Sequence, residues 1–126
     1  MKYYLINGEK IISEKAKISI DDYGLMRGYA VFETIKFTNR KIHNIDLHID
    51  RLFKSISIIK MNLKATKRDN IIDSVKRIIR INSLDNGLIK LIVTKGNMNN
   101  NETDTPNIYI TINNMYDIPE SPVKVV

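Results

Sequence analysis

The feature that most restricts this chain is a change of period: apolar residues alternate every second position towards both ends and every third or fourth in the middle. From Asp46 onward, Ile49, Leu52, Phe53, Ile56 and Ile59 recur at helical spacing, with Asp46 as a candidate N-cap and Ile45 before it, which predicts a helix over 46–60. Thr66 caps a second segment, with Asp69 three residues on, where Ile71, Ile72, Val75, Ile78 and Ile79 form one stripe that ends near Asn82. Each stripe has to be buried against another element.

Those elements are marked by their turns. Apolar and polar residues alternate on both sides of Asn7-Gly8, the dipeptide that most favours a type I′ hairpin turn, so Tyr3–Ile6 should pair with Glu9–Ile12. Residues 30–37 are rich in β-branched and aromatic side chains, and Thr38-Asn39-Arg40 separates them from 41–43 in a second hairpin. Residues 88–94 and 107–112 read as two more strands, joined by an Asn-rich loop over 95–106 that is expected to be among the most mobile parts of the chain. Strand pairs, two helices and a strand pair predict an α+β fold, a mainly antiparallel sheet with two helices packed on one face as a two-layer sandwich.

A chain of 126 residues with 43% hydrophobic content can bury one core without disulfides or a structural metal. No apolar run approaches the roughly 20 residues needed to cross a bilayer, and Asn7-Gly8 interrupts the opening run before a signal-peptide core could form, so the cytoplasm is the expected compartment. Zero cysteines exclude a disulfide scaffold and thiolate catalysis. The net charge of +6 raises nucleic acid as a partner, with Lys67, Arg68, Lys76, Arg77 and Arg80 as the surface of a small basic α+β module. Those residues occupy the solvent face of an amphipathic helix, where charge is the default, and no aromatic platform is interleaved, which argues against that partner. The skew itself, 23 Ile, 14 Lys and 14 Asn against 6 Arg, is what AT-rich codon usage produces. His43 and His48 lie five apart on different predicted elements and do not suggest a metal site.

Nucleophile-elbow, phosphate-loop and zinc-helix motifs are all missing. Two segments stand out instead. In 21–36, Gly24 and Gly28 lead into a strand and mark an irregular loop that needs unusual backbone angles or close backbone approach. In His48-Ile49-Asp50-Arg51-Leu52, an arginine near a helix N-terminus could bind a phosphate, or pair with Asp50 or Asp46, or simply be solvated.

Taken in order, the two segments resemble class IV aminotransferases of fold type IV. Residues 22–36 are similar to the signature Asp-Arg-Gly-x-x-x-Gly-Asp-Gly-Val-Phe-Glu-Thr-x-Arg, and His48-Ile49-Asp50-Arg51-Leu52 is similar to the family's helix motif. The opening Leu5-Ile6-Asn7-Gly8 and the strand end Ile92-Val93-Thr94-Lys95-Gly96 also look like family elements. Tyr23 stands for the usual arginine, and Arg27, Tyr29 and Ala30 replace the more usual aromatic, Asp and Gly, as in a subtype with Arg-Gly-Tyr-x-Val-Phe.

The resemblance implies pyridoxal 5′-phosphate held between two domains, with Arg51 on its phosphate. It implies a substrate side lined by Phe32, Thr34, Lys36 and Lys95, amino-acid and 2-oxo-acid substrates, and a homodimer. Strand alternation puts residues 32, 34 and 36 on one face, although Phe32 can equally be core packing. Residues 1–116 would be the amino-terminal domain, and 117–126, with Pro119 and Pro122, a linker and the start of a second domain. The lysine that holds the cofactor covalently in that family lies past the linker. No lysine here sits in its context, so no catalytic residue is assigned and the 126 residues alone are expected to be inactive.

Three activities compete within the resemblance. The D-amino-acid type carries an Arg-x-His pair in the loop after 88–94, and residues 95–101 contain neither residue, which counts against it. A basic residue at position 36 leans towards a transaminase, branched-chain type favoured, over the alternative, an aminodeoxychorismate lyase.

Overall fold

The computed structural model describes residues 1–63, 66–98 and 105–115. The first hairpin forms as expected: β1 (Tyr3–Ile6) pairs with β2 (Glu9–Ile12), and the turn residues Asn7 and Gly8 both have positive φ, 51° and 84°, as a type I′ turn requires. A turn of 3-10 helix, Ser13–Lys15, follows, and a one-turn helix, α1 (Tyr23–Arg27), lies in the glycine segment. The chain continues through β3 (Ala30–Thr38), β4 (Lys41–Ile42), α2 (Ile45–Ile58), α3 (Arg68–Asn82), β5 (Gly87–Thr94) and β6 (Asn107–Asn113). The six strands form one antiparallel sheet in the order β2-β1-β6-β5-β3-β4. The α+β class and the two long helices against the sheet are as the periodicity predicts.

The core lies between the sheet and those helices. Leu5, Ile35, Phe37, Ile89, Leu91, Ile110 and Ile112 meet Ile49, Leu52 and Ile56 of α2 and Ile71, Val75, Ile78 and Ile79 of α3. Each fully buried Ile or Leu contributes roughly 1.5–3 kcal/mol, which is why the two stripes decide where the helices sit. Asn82 fastens the end of α3 to β1, donating to the Tyr3 carbonyl (3.0 Å) and accepting from the Tyr3 N–H (2.8 Å).

Both helix starts differ from the expectation. Helix α2 begins at Ile45, so Asp46 lies inside its first turn and Asn44 takes the capping position with φ 55°. Asparagine tolerates this left-handed conformation better than most residues, which lets the turn from β4 close there. Helix α3 begins at Arg68 after Lys67, and Thr66 instead donates its N–H to the Leu63 carbonyl. Arg68 reaches Asp50 at 2.5 Å and Asp46 at 3.3 Å, so the start of α3 is tied by charge to the first two turns of α2, and neither helix has a side-chain cap. The expected boundary at 116/117, the segment 117–126 and residues 99–104 of the Asn-rich loop lie outside the described residues.

Candidate functional site

The site begins with the two glycines, which serve different ends. Asp22 caps α1, accepting the Gly24 N–H at 2.7 Å, and Gly28 ends the helix with φ 65°. At Gly24 the requirement is space, since a Cβ there would stand 2.7 Å from Thr94 Cγ2. The irregular loop of the sequence reading is therefore a short helix pressed onto the end of β5. A single turn carries too few apolar positions to show a period; Asp22 followed by Gly28 was the available signal.

Helix α1 delivers the chain into β3, whose alternation sends Glu33, Ile35 and Phe37 to the helix-covered side and leaves Phe32, Thr34 and Lys36 exposed. A carboxylate on a covered face needs partners. Glu33, 6% exposed, receives Arg51 Nε at 3.0 Å on each oxygen, Arg51 Nη2 at 2.7 Å, and His48 Nδ1 at 2.8 Å from one turn earlier on α2. Burial pushes the Glu33 carboxyl up, but hydrogen bonds from Arg51 and His48 and their charge outweigh it, holding the group below the usual glutamate range. The same carboxylate raises the Arg51 guanidinium.

The near-sequence alternatives for Arg51 are not realised, because Asp46 and Asp50 are both engaged by Arg68. The Arg51 side chain is 66% exposed. Glu33 grips one edge of the guanidinium, and Nη1 makes no hydrogen bond to another described residue. A planar fork anchored on one edge and open on the other suits a phosphate or carboxylate.

Phe32, Thr34 and Lys36 come together on the open face, and Phe32, 60% exposed, is not core packing. Sequence reasoning missed Lys90, which lies opposite Thr34 in the β3–β5 register and holds its ammonium 5.0 Å from the centre of the Phe32 ring. No local signal pointed to it, because the cross-strand register is a tertiary fact. Arg51 and Lys95 make no hydrogen bond or ion pair with this trio. Lys95 Nζ lies 5.0 Å from the Tyr23 ring centre and 5.2 Å from that of Tyr29. On α3, Arg68 is spent on ion pairs and Arg77 on the Gly8 carbonyl (2.8 Å), which removes two members of the basic surface considered for nucleic acid. Among the described residues no helix is long and apolar enough to cross a membrane, and no group of three or more His, Asp or Glu side chains could hold a metal.

Residues 30–126 match the family described as amino-transferase class IV. The chain belongs to that family. A putative branched-chain-amino-acid aminotransferase of Methanocaldococcus jannaschii is 38% identical over 96 residues, covering 76% of this chain and 33% of that protein. A D-alanine aminotransferase of Staphylococcus haemolyticus is 32% identical over 96 residues, covering 76% of this chain and 34% of that one. This class IV chain thus spans about a third of the length of those relatives. Among solved structures, the branched-chain amino acid aminotransferase of Escherichia coli superposes with a TM-score of 0.79 at 22% identity, covering 90% of this chain and 40% of that one. At that identity the likeness speaks for the fold: the sheet and helices described above are those of a class IV aminotransferase.

Proposed function

We propose that the protein is a pyridoxal-phosphate-dependent transaminase, exchanging amino groups between an amino acid and a 2-oxo acid, to which this chain contributes Arg51 for the cofactor's phosphate and the surface around β3 for the substrate. The observation that carries the reading is the half-open guanidinium of Arg51, oriented by buried Glu33 with donors left for an anion. A phosphate bears up to about two negative charges and three acceptor oxygens, which a guanidinium fork meets better than an ammonium does. When bound, pyridoxal 5′-phosphate supplies the electron sink that amino transfer requires.

The geometry of β3 supports a shared ligand edge. Its pairing with β4 covers only Phe37 and Thr38, so among the described residues the outer edge over 30–35 borders no strand. A ligand lying along that edge has Arg51 on the covered side of the sheet and Phe32, Thr34 and Lys36 on the open side. Lys95 stands beyond the Tyr29 end, since its N–H donates to the Tyr29 carbonyl. Substrates of both kinds carry a carboxylate, which Lys36 and Lys95 are suited to receive, while Phe32 offers an apolar surface to a branched side chain. The similar proteins include branched-chain and D-alanine enzymes, and we favour the branched-chain type because residues 95–101 lack an Arg-x-His pair. Exposed apolar side chains at Ile20, Leu25, Met26 and Phe32 support association into a homodimer.

Calorimetric titration with pyridoxal 5′-phosphate and with inorganic phosphate tests the anchor. Arg51→Ala is expected to weaken phosphate-dependent binding about tenfold or more, as loss of a charge-assisted hydrogen-bonded contact does, and Lys95→Ala to weaken it less. Undiminished binding by a folded Arg51→Ala variant would refute the anchor.

A further inference from the structure

We propose that Asp22 is a positioning residue for Lys95: its carboxylate joins α1 to the ends of β5 and β6, and so sets the Lys95 ammonium against the rings of Tyr23 and Tyr29, at the end of the ligand edge. The functional side of this inference rests on the substrate role proposed above for Lys95; the positional side does not.

Asp22 is 1% exposed and serves as acceptor for three elements at once. One oxygen takes the Gly24 N–H of α1 (2.7 Å). The other takes the Thr94 hydroxyl at the end of β5 (3.1 Å), the Asn107 amide at the start of β6 (2.9 Å) and the Tyr109 hydroxyl. All four donors are neutral, and among the described residues Asp22 forms no ion pair. Tyr109, whose phenol is raised by burial and by the adjacent carboxylate, stays a donor across the ordinary pH range.

The backbone around Lys95 is fixed by the same junction. Tyr23 N–H donates to the Gly96 carbonyl (2.8 Å), Met98 N–H to the Asp21 carbonyl (2.8 Å), and Lys95 N–H to the Tyr29 carbonyl (3.2 Å). Thr94 Oγ1, already bound to Asp22, also accepts the Gly96 N–H at 3.1 Å. Lys95 is therefore bracketed by residues that Asp22 holds directly or through one hydrogen bond. Its two rings are fixed as well, Tyr23 as the first residue of the helix that Asp22 caps and Tyr29 by donating its hydroxyl to the Ile59 carbonyl (2.6 Å). Aromatic faces attract an ammonium without neutralising it. Among the described residues no carboxylate forms an ion pair with Lys95, so the positive charge is held in place and left uncompensated, as recognition of a small carboxylate requires.

The ring contacts give a direct readout. In carbon-edited proton NMR of the chain, the Lys95 ε-methylene should be displaced upfield of the other lysines by the Tyr23 and Tyr29 ring currents, and Tyr23→Leu should reduce that displacement, which assigns it. Asp22→Asn and Thr94→Val should each shrink it while the sheet stays folded, and should speed exchange of the Gly96 and Met98 amides about tenfold or more through local opening. Thr94→Ser, which keeps the hydroxyl, should restore it. Should Asp22→Asn fail to fold, the Val and Ser variants at position 94 decide the matter. Folded Asp22→Asn or Thr94→Val protein with the Lys95 signal unmoved overturns the proposal. No ligand is present in this measurement, so its outcome is independent of whether Arg51 binds phosphate.

Discussion

Two buried carboxylates from one short stretch of chain, Glu33 and Asp22, are satisfied in opposite ways. Glu33 is held by charged or chargeable partners, Arg51 and His48, and Arg51 stands largely in solvent. Among the described residues Asp22 is held by neutral donors, and these contacts turn inward to join α1, β5 and β6. The difference separates two uses of the same functional group. A carboxylate paired with an exposed cation orients that cation and leaves donors for a ligand; one held by neutral groups inside the fold acts by fixing the backbone around it.

If this contrast is right, the two corners should fail unequally when cut. Asp22→Ala leaves a buried hydroxyl on Tyr109 and on Thr94, an amide on Asn107 and an N–H on Gly24 without their acceptor. With each stranded buried donor costing about 1–3 kcal/mol before relaxation, a loss of about 3 kcal/mol or more is expected in urea melts at neutral pH. Glu33→Gln should cost clearly less, because the amide oxygen still accepts and Arg51 can rehydrate. Equal losses would break the comparison.

The next effect lies on the alkaline side. The Tyr109 phenol is raised in the folded chain, first by burial and then by the hydrogen bond and charge of Asp22. A raised folded value means that this contribution is fully present below the unfolded tyrosine value of about 10 and is lost as pH rises above it. Melts from neutral pH to about 11 should therefore show a fall that Tyr109→Phe flattens. An identical fall in that variant would assign the alkaline loss to other groups.

How much of this was legible in the sequence follows from how local each feature is. The two long helices and the strands show because an apolar period repeats within a window of neighbours, as in Ile49, Leu52 and Ile56 or in the alternation of β3. Helix α1, at five residues, is shorter than any such window. Arg51 could be singled out from its motif, yet its partner could not, since Glu33 is 18 residues away and the nearer carboxylates Asp46 and Asp50 were the natural candidates. What displaced them was packing: α2 lies across β3 and brings Arg51 over a buried glutamate. The Asp22 junction is less legible still, because its side-chain donors come from 72 to 87 residues away and share no pattern. The opposition of Lys90 to Thr34 likewise waits on strand register.

The smallest expected effect is the acid counterpart at Glu33, and its sign is opposite to that at Tyr109. Burial alone would raise this carboxyl, but the hydrogen bonds from Arg51 and His48 and their charge bring it below its ordinary value. A depressed folded value means that the stabilisation is present above the unfolded glutamate value of about 4.3 and is lost as pH falls through the folded one. The difference in stability between the wild-type chain and Glu33→Gln should be present at about pH 5 and should close as pH falls below about pH 4. It should be modest, because one partner is exposed and solvent screens the pair, and it should shrink further at high salt. Phosphate binding through Arg51 should weaken in Glu33→Gln even at neutral pH, since the fork loses the charge that orients it. A difference that stays constant down to pH 3 would deny that this carboxyl is depressed in the fold, and phosphate affinity indifferent to Glu33 would deny that it orients Arg51.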